Sequence, residues 1–179
     1  MLIGGDRMQK VLADIGAKLS KAHVDVGFID GARYPDGTIV AKVAFWNEFG
    51  HGGRFPSPAR PFFRGMISKQ SGGWGKVLAS ALKATNYDAK AALALVGEHI
   101  NDQLRESIRE YDDIPISPVT ALLRDRFRTN PQNITASDVL KAQEDVKNGA
   151  IGSGGMAAHP LIWTGVMQNS TGYEVKDGE

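Results

Sequence analysis

The chain has 179 residues, 42% apolar and 23% charged, a composition that suits a globular protein of about one domain and excludes a largely disordered one. Its 21 Lys and Arg against 20 Asp and Glu leave a formal charge of +1, so no global field draws it toward nucleic acid or an anionic membrane. Cysteine is absent, which excludes disulfide stapling and thiolate zinc sites. No apolar run approaches the roughly 18 residues a membrane span needs, and the sequence predicts neither a span nor a signal peptide.

In chain order, Asp6 is placed to cap a short helix in which Met8, Val11, Leu12, Ile15 and Leu19 recur at helical spacing. In HVDVGFID, Val24, Val26 and Phe28 alternate as in a strand, and YPDGT supplies a turn. Ile39, Val40, Val43, Phe45, Trp46 and Phe49 fit a helix ended by Gly50, with a strand the alternative for its first half. The three glycines and three prolines between Gly50 and Pro61 predict an extended loop over 50–61. One helix is expected over 74–85. A longer one is expected from Asp88 to Tyr111, striped by Leu93, Val96, Ile100, Leu104, Ile108 and Tyr111.

DDIPISPVT breaks that helix, and residues 112–160 read as a less ordered insertion or arm, with a short helical pattern at SDVLKAQEDVKNG and a glycine-rich joint at GAIGSGGMAAHP expected to be mobile. A turn or short helix near Thr164 leads to GYEVK, a closing strand predicted to pair with the strand of Val24, Val26 and Phe28. The expected fold is α+β: a single domain over 1–179, with a small mixed or antiparallel sheet packed against a long amphipathic helix and extended loops or arms.

Chemistry is sparse. His23, His51, His99 and His159 are scattered without ligand spacing, FGHGG lacks a phosphate-binding pattern, and no GxSxG elbow occurs. The sequence therefore predicts no catalytic residue, no metal and no cofactor, and an enzyme ranks last among the readings. Arg54, Arg60, Arg64 and Lys69 follow the aromatic cluster, and Arg124, Arg126 and Arg128 lie in LLRDRFR. These make nonspecific nucleic-acid binding the runner-up, with the last three as candidates to face DNA.

The stretch from Phe45 to Arg64 sets Phe45, Trp46, Phe49, Phe62 and Phe63 beside Pro58, Pro61, Arg60 and Arg64, the residue types enriched at protein interfaces. Phe45, Trp46 and Phe49 read equally well as core. Prolines on both sides of Arg60 predict an extended path that presents Phe62, Phe63 and Arg64 for packing against the long helix or a neighbouring subunit, with Arg60 and Arg64 dispensable for folding.

Three blocks carry a resemblance. AFWNEFG (Ala44, Phe45, Trp46, Asn47, Glu48, Phe49, Gly50), PARPFFR (Pro58 to Arg64) and LIWTGVMQNSTGYEV (Leu161 to Val175, with Trp163, Thr164 and Gly165) resemble, in order and content, the virion-morphogenesis proteins of long-tailed bacteriophages. These are the neck or tail-completion proteins similar to the lambda minor tail protein Z group. Residues 112–158 carry no matching motif, and Met167 stands where leucine is commoner. The resemblance implies a non-catalytic structural protein of the virion, assembled in the host cytoplasm. It would join a ring of its own copies, a hexamer first, at the head–tail junction. Neighbouring neck, tail-terminator or connector proteins would be its partners, with nonspecific contact to passing DNA and none to membrane.

Overall fold

The computed structural model describes residues 3–19, 21–53, 56–152 and 159–177. Among these, helices and one two-stranded antiparallel sheet packed on a helix make an α+β fold, as the sequence predicts. The chain groups into two compact units. The first takes Met1–Phe28, Met66–Leu104 and Thr171–Glu179; the second takes Ile29–Gly65 and Arg105–Ser170.

The first unit opens with α1 (Ile3–Leu19) and β1 (Ala22–Phe28). Helix α1 begins before Asp6, which therefore lies inside it rather than at its cap; the side chains of Asp6 and Leu19 fall outside the described residues. Its apolar stripe is not core, because Met8, Val11 and Leu12 are 64%, 48% and 57% exposed. Strand β2 (Thr171–Asp177) pairs antiparallel with β1, setting Val24 opposite Val175 and Val26 opposite Tyr173, the pairing expected from their alternation. Across the two strands Lys176 Nζ donates to Asp25 Oδ2 at 2.8 Å.

Two long helices follow, α3 (Phe62–Ala84) and α4 (Ala89–Glu110), each supplying residues to both units. Helix α4 matches its predicted span, and Leu93, Val96, Ile100, Leu104 and Ile108 are buried along it. Asp88 Oδ1 accepts from Ala91 N at 3.0 Å at its start. The sheet sits on α4 at Gly97, where a Cβ would fall 2.6 Å from the Tyr173 ring and 2.7 Å from Val24 Cγ2. Only a residue without a side chain allows that approach. Helix α3 starts twelve residues earlier than the glycines in SGGWG suggest. Glycine lowers helix propensity by about 1 kcal/mol per residue, a local penalty that tertiary anchoring at the N-terminus overrides here.

In the second unit, the turn at Tyr34–Gly37 closes with Tyr34 N donating to Thr38 O at 2.9 Å and delivers the chain to α2 (Val40–Phe49), which ends at Gly50. Residues 112–160, expected to be the least ordered, carry α5 (Pro118–Arg126) and α6 (Ala136–Lys147). Both are locally specified. Ser117 Oγ accepts from Thr120 N at 3.1 Å with Pro118 at the first helical position, and Thr135 with Asp138 forms a reciprocal capping box. The hydroxyl and N–H of Thr135 hold the Asp138 carboxyl below its ordinary range. Leu122, Leu123 and Ala142 join the two helices in a core with Val119, Phe127, Val139 and Trp163. Helix α7 (Val166–Asn169) closes the unit against α2. Arg54, Phe55 and residues 153–158 of the glycine-rich joint lie outside the described residues.

Candidate functional site

Helix α2 has no polar side, and residues four apart share a face on a helix. Val40, Ala44 and Glu48 point inward and are buried. Val43 and Asn47, with Trp46 beside them, line a groove. Phe45 and Phe49 remain 58% and 51% exposed, their ring centroids 4.7 Å apart. The core reading of these two rings fails within this chain.

Glu48 explains where α3 begins. Its Oε2 accepts from Phe63 N at 2.9 Å, and its Oε1 accepts from Arg64 N at 3.1 Å and Arg64 Nε at 2.8 Å. A buried carboxylate thus satisfies two of the orphan N–H groups of the first turn of α3 and lies at the positive end of its dipole. Arg64 Nη2 donates back to Glu48 O at 3.2 Å, and its guanidinium lies 4.6 Å over the Phe49 ring. Phe62, Phe63 and Arg64 are therefore helical, not extended, and Phe62 is buried. Pro61 ends the extended path one residue earlier, at the place where a missing N–H costs a helix nothing.

Arg60 is also architectural. Its backbone N donates to Asn47 O at 2.6 Å; its Nε and Nη2 donate to Ile114 O and Pro115 O, both at 3.3 Å, and its Nη1 to Ser57 Oγ at 3.1 Å. Burial depresses its pKa, with the nearby Tyr111 opposing. These bonds weigh against Arg60 being dispensable for folding, whereas the Arg64 side chain is 56% exposed. Gly50 has φ of 74°, and a Cβ there would lie 2.8 Å from Ala59 N, so the loop can return only past a glycine.

The third block meets the other two. Trp46 and Asn47 from α2, Pro58 and Arg60 from the loop, and Trp163, Thr164 and Gly165 before α7 line one groove of about 1220 Å³ within the second unit. Phe45, Glu48, Phe49, Gly50, Pro61, Phe62, Phe63 and Arg64 do not line it. Arg124, grouped by sequence with DNA-facing residues, lines the groove as well. Its Nη1 and Nη2 donate to His159 O at 3.2 Å and Pro160 O at 2.7 Å, and its guanidinium lies 5.5 Å from the Trp163 ring centroid. Arg126 pairs with Asp145, and Arg128 is exposed. The sequence pattern does not separate these three arginines, because their different partners come from distant segments.

Among the described residues no group of three His, Asp or Glu could hold a metal ion, and no helix is long and apolar enough to cross a membrane. No family model, curated protein or solved structure matches the chain.

Proposed function

We propose that this chain is a structural virion protein of a long-tailed bacteriophage, a neck or tail-completion protein whose ring at the head–tail junction makes the tail competent for head attachment. The observation that carries the reading is the outward face of α2, where Phe45 and Phe49 stand exposed beside Arg64. Aromatic rings and arginine are the side chains that anchor protein interfaces, and clustered exposed aromatics on a chain of this size mark a contact surface. A ring built by heterologous contacts uses one such surface at every boundary, a hexamer being the stoichiometry the motif resemblance suggests. Second copies and neighbouring neck, tail-terminator or connector proteins are the partners.

The test is the double variant Phe45→Ala with Phe49→Ala in the phage that encodes the chain. Purified protein should keep its circular dichroism and melting temperature, while micrographs show filled heads and free tails unjoined. Infectious particles in normal yield would overturn the proposal. Nonspecific nucleic-acid binding, the competing reading, requires DNA affinity that falls steeply with salt.

A further inference from the structure

Helix α1 stands largely uncovered. From Arg7 to Ala17 every residue is exposed except Ile15, which is half-buried. Met8, Val11, Leu12 and Ile15 follow one another at the spacing of a helix that packs against a second helix, yet their own chain leaves the first three in solvent. The sequence does little to hold this helix up by itself. Gly4, Gly5 and Gly16 lower its propensity, and helices in proteins draw most of their stability from packing an amphipathic face. A Cβ at Gly5 or Gly16 would meet nothing within 4 Å, so no close approach inside the chain accounts for these glycines. The charges beside the stripe are ordered. Arg7 and Asp14, both exposed, stand seven residues apart, each directly before an apolar residue of the stripe, Met8 or Ile15. With Met8 and Ile15 at the first apolar position of a heptad, Arg7 and Asp14 take equivalent flanking positions on one side, with opposite signs.

We propose that α1 pairs antiparallel with α1 of a second copy of this chain, around a two-fold axis that passes beside Val11. In an antiparallel helix pair these flanking positions face each other. Arg7 of each copy then meets Asp14 of the other, and the axis makes the contact twice. A parallel pair sets Arg7 against Leu12 and leaves both charges unmatched. This self-complementarity selects a second copy over an unrelated partner, and the two stripes of Met8, Val11, Leu12 and Ile15 cover each other. At 1.5 Å per residue α1 is only about 25 Å long, so the contact is short and the pairing reversible in the micromolar range. A membrane surface fits less well. Helices that lie on bilayers set Trp, Phe or Leu against a strongly cationic face, whereas α1 has no aromatic residue and carries Asp14 between its cations. An isologous contact joins copies in twos while heterologous contacts close a ring, so the pairing goes beyond the head–tail reading and stands or falls apart from it.

Sedimentation of the purified full chain through the micromolar range tests this and should show a reversible monomer–dimer equilibrium. Leu12→Glu, at an exposed position, should leave only monomer. Arg7→Glu and Asp14→Arg should each weaken the dimer about tenfold, by turning both attractive contacts repulsive, and the double reversal should return it to within about twofold of the parent. Because the chain has no cysteine, Val11→Cys should crosslink cleanly under mild oxidation. Ile15→Cys should not, since its two copies lie roughly 13 Å apart along an antiparallel pair. Phe45→Ala with Phe49→Ala should dimerise like the parent, which separates this contact from the α2 face. Monomer at every concentration, a dimer indifferent to Leu12→Glu, no rescue by the double reversal, or equal crosslinking at positions 11 and 15 would overturn the proposal. Binding of an unpaired chain to phosphatidylglycerol vesicles would reassign α1 to a membrane surface.

Discussion

Glu48→Gln tests the keystone of the second unit, because the substitution keeps shape and volume and changes only what the side chain can accept. The glutamate takes three N–H bonds, two from the first-turn backbone of α3 and one from the Arg64 guanidinium. A glutamine oxygen can keep the two bonds from Arg64, but its NH₂ then faces Phe63 N, turning a charge-assisted bond at 2.9 Å into a donor–donor contact. Hydrogen bonds to charged groups contribute about 1.5–3 kcal/mol. Arg64 has a side chain 56% exposed, so water takes up its lost charge partner and the ion-pair part stays below about 1 kcal/mol. The expected loss is about 2–3 kcal/mol, or about 5–10 °C in melting temperature for a chain of this length. Thermal unfolding gives the size and amide hydrogen exchange the place, with Phe63 and Arg64 losing protection first. A melting temperature within about 1 °C of the parent, or a loss that leaves exchange at Phe63 unchanged, would refute the capping role.

Glycine substitutions should divide by what a Cβ would meet. Gly97→Ala, aimed at the Tyr173 ring and Val24, should destabilise by about 1–3 kcal/mol, while Gly72→Ala and Gly73→Ala, with nothing within 4 Å, should each stabilise α3 by up to about 1 kcal/mol; melts shifting in the same direction would contradict this. Tyr34 has its pKa raised from 10.0 to about 12, by burial first and the charge of Asp36 second. Its folded pKa exceeds the unfolded one, so its contribution is intact below pH 10 and is lost as pH rises toward 12. Alkaline unfolding should accordingly be flatter over that window in Tyr34→Phe, and identical pH profiles would argue against a buried hydroxyl. Truncation after Gly165 removes β2 and strips β1 of its partner along the whole register, which should lower the melting temperature; an unchanged melt would show that the sheet contributes little.

The elements legible in sequence were those whose signal is local and periodic. Leu93 to Tyr111 repeats with helical spacing on one stripe, and α4 follows it closely. Val24 and Val26 alternate, as do Tyr173 and Val175, and the strands pair in that register. The start of α3 was hidden because its cap, Glu48, comes from another helix, while its interior glycines argue locally against a helix. Residues 112–160 were a different case. The helical pattern in SDVLKAQEDVKNG does become α6, but α5 was missed, because the cap of Ser117 with Pro118 was a short motif that the surrounding prolines outweighed in a reading by composition. Arg60 looked like surface because its carbonyl partners at Ile114 and Pro115 are more than fifty positions away.

The residues that carry the motif resemblance divide among three physical tasks, and α2 separates them by face. Glu48, Gly50 and Arg60 hold backbone to backbone, so their loss acts first on stability and only through it on any partner. Trp46, Asn47 and Trp163 line the groove, where a change alters its shape. Phe45 and Phe49 bury little within their own chain, so truncating them costs the isolated fold little and any binding surface much. A protein selected for its own stability alone gains little from two exposed phenylalanines four residues apart. One that must dock gains an anchor whose position is fixed by the buried face behind it. That division makes α2 the place where the proposed docking face and stability can be perturbed independently on a single helix of ten residues.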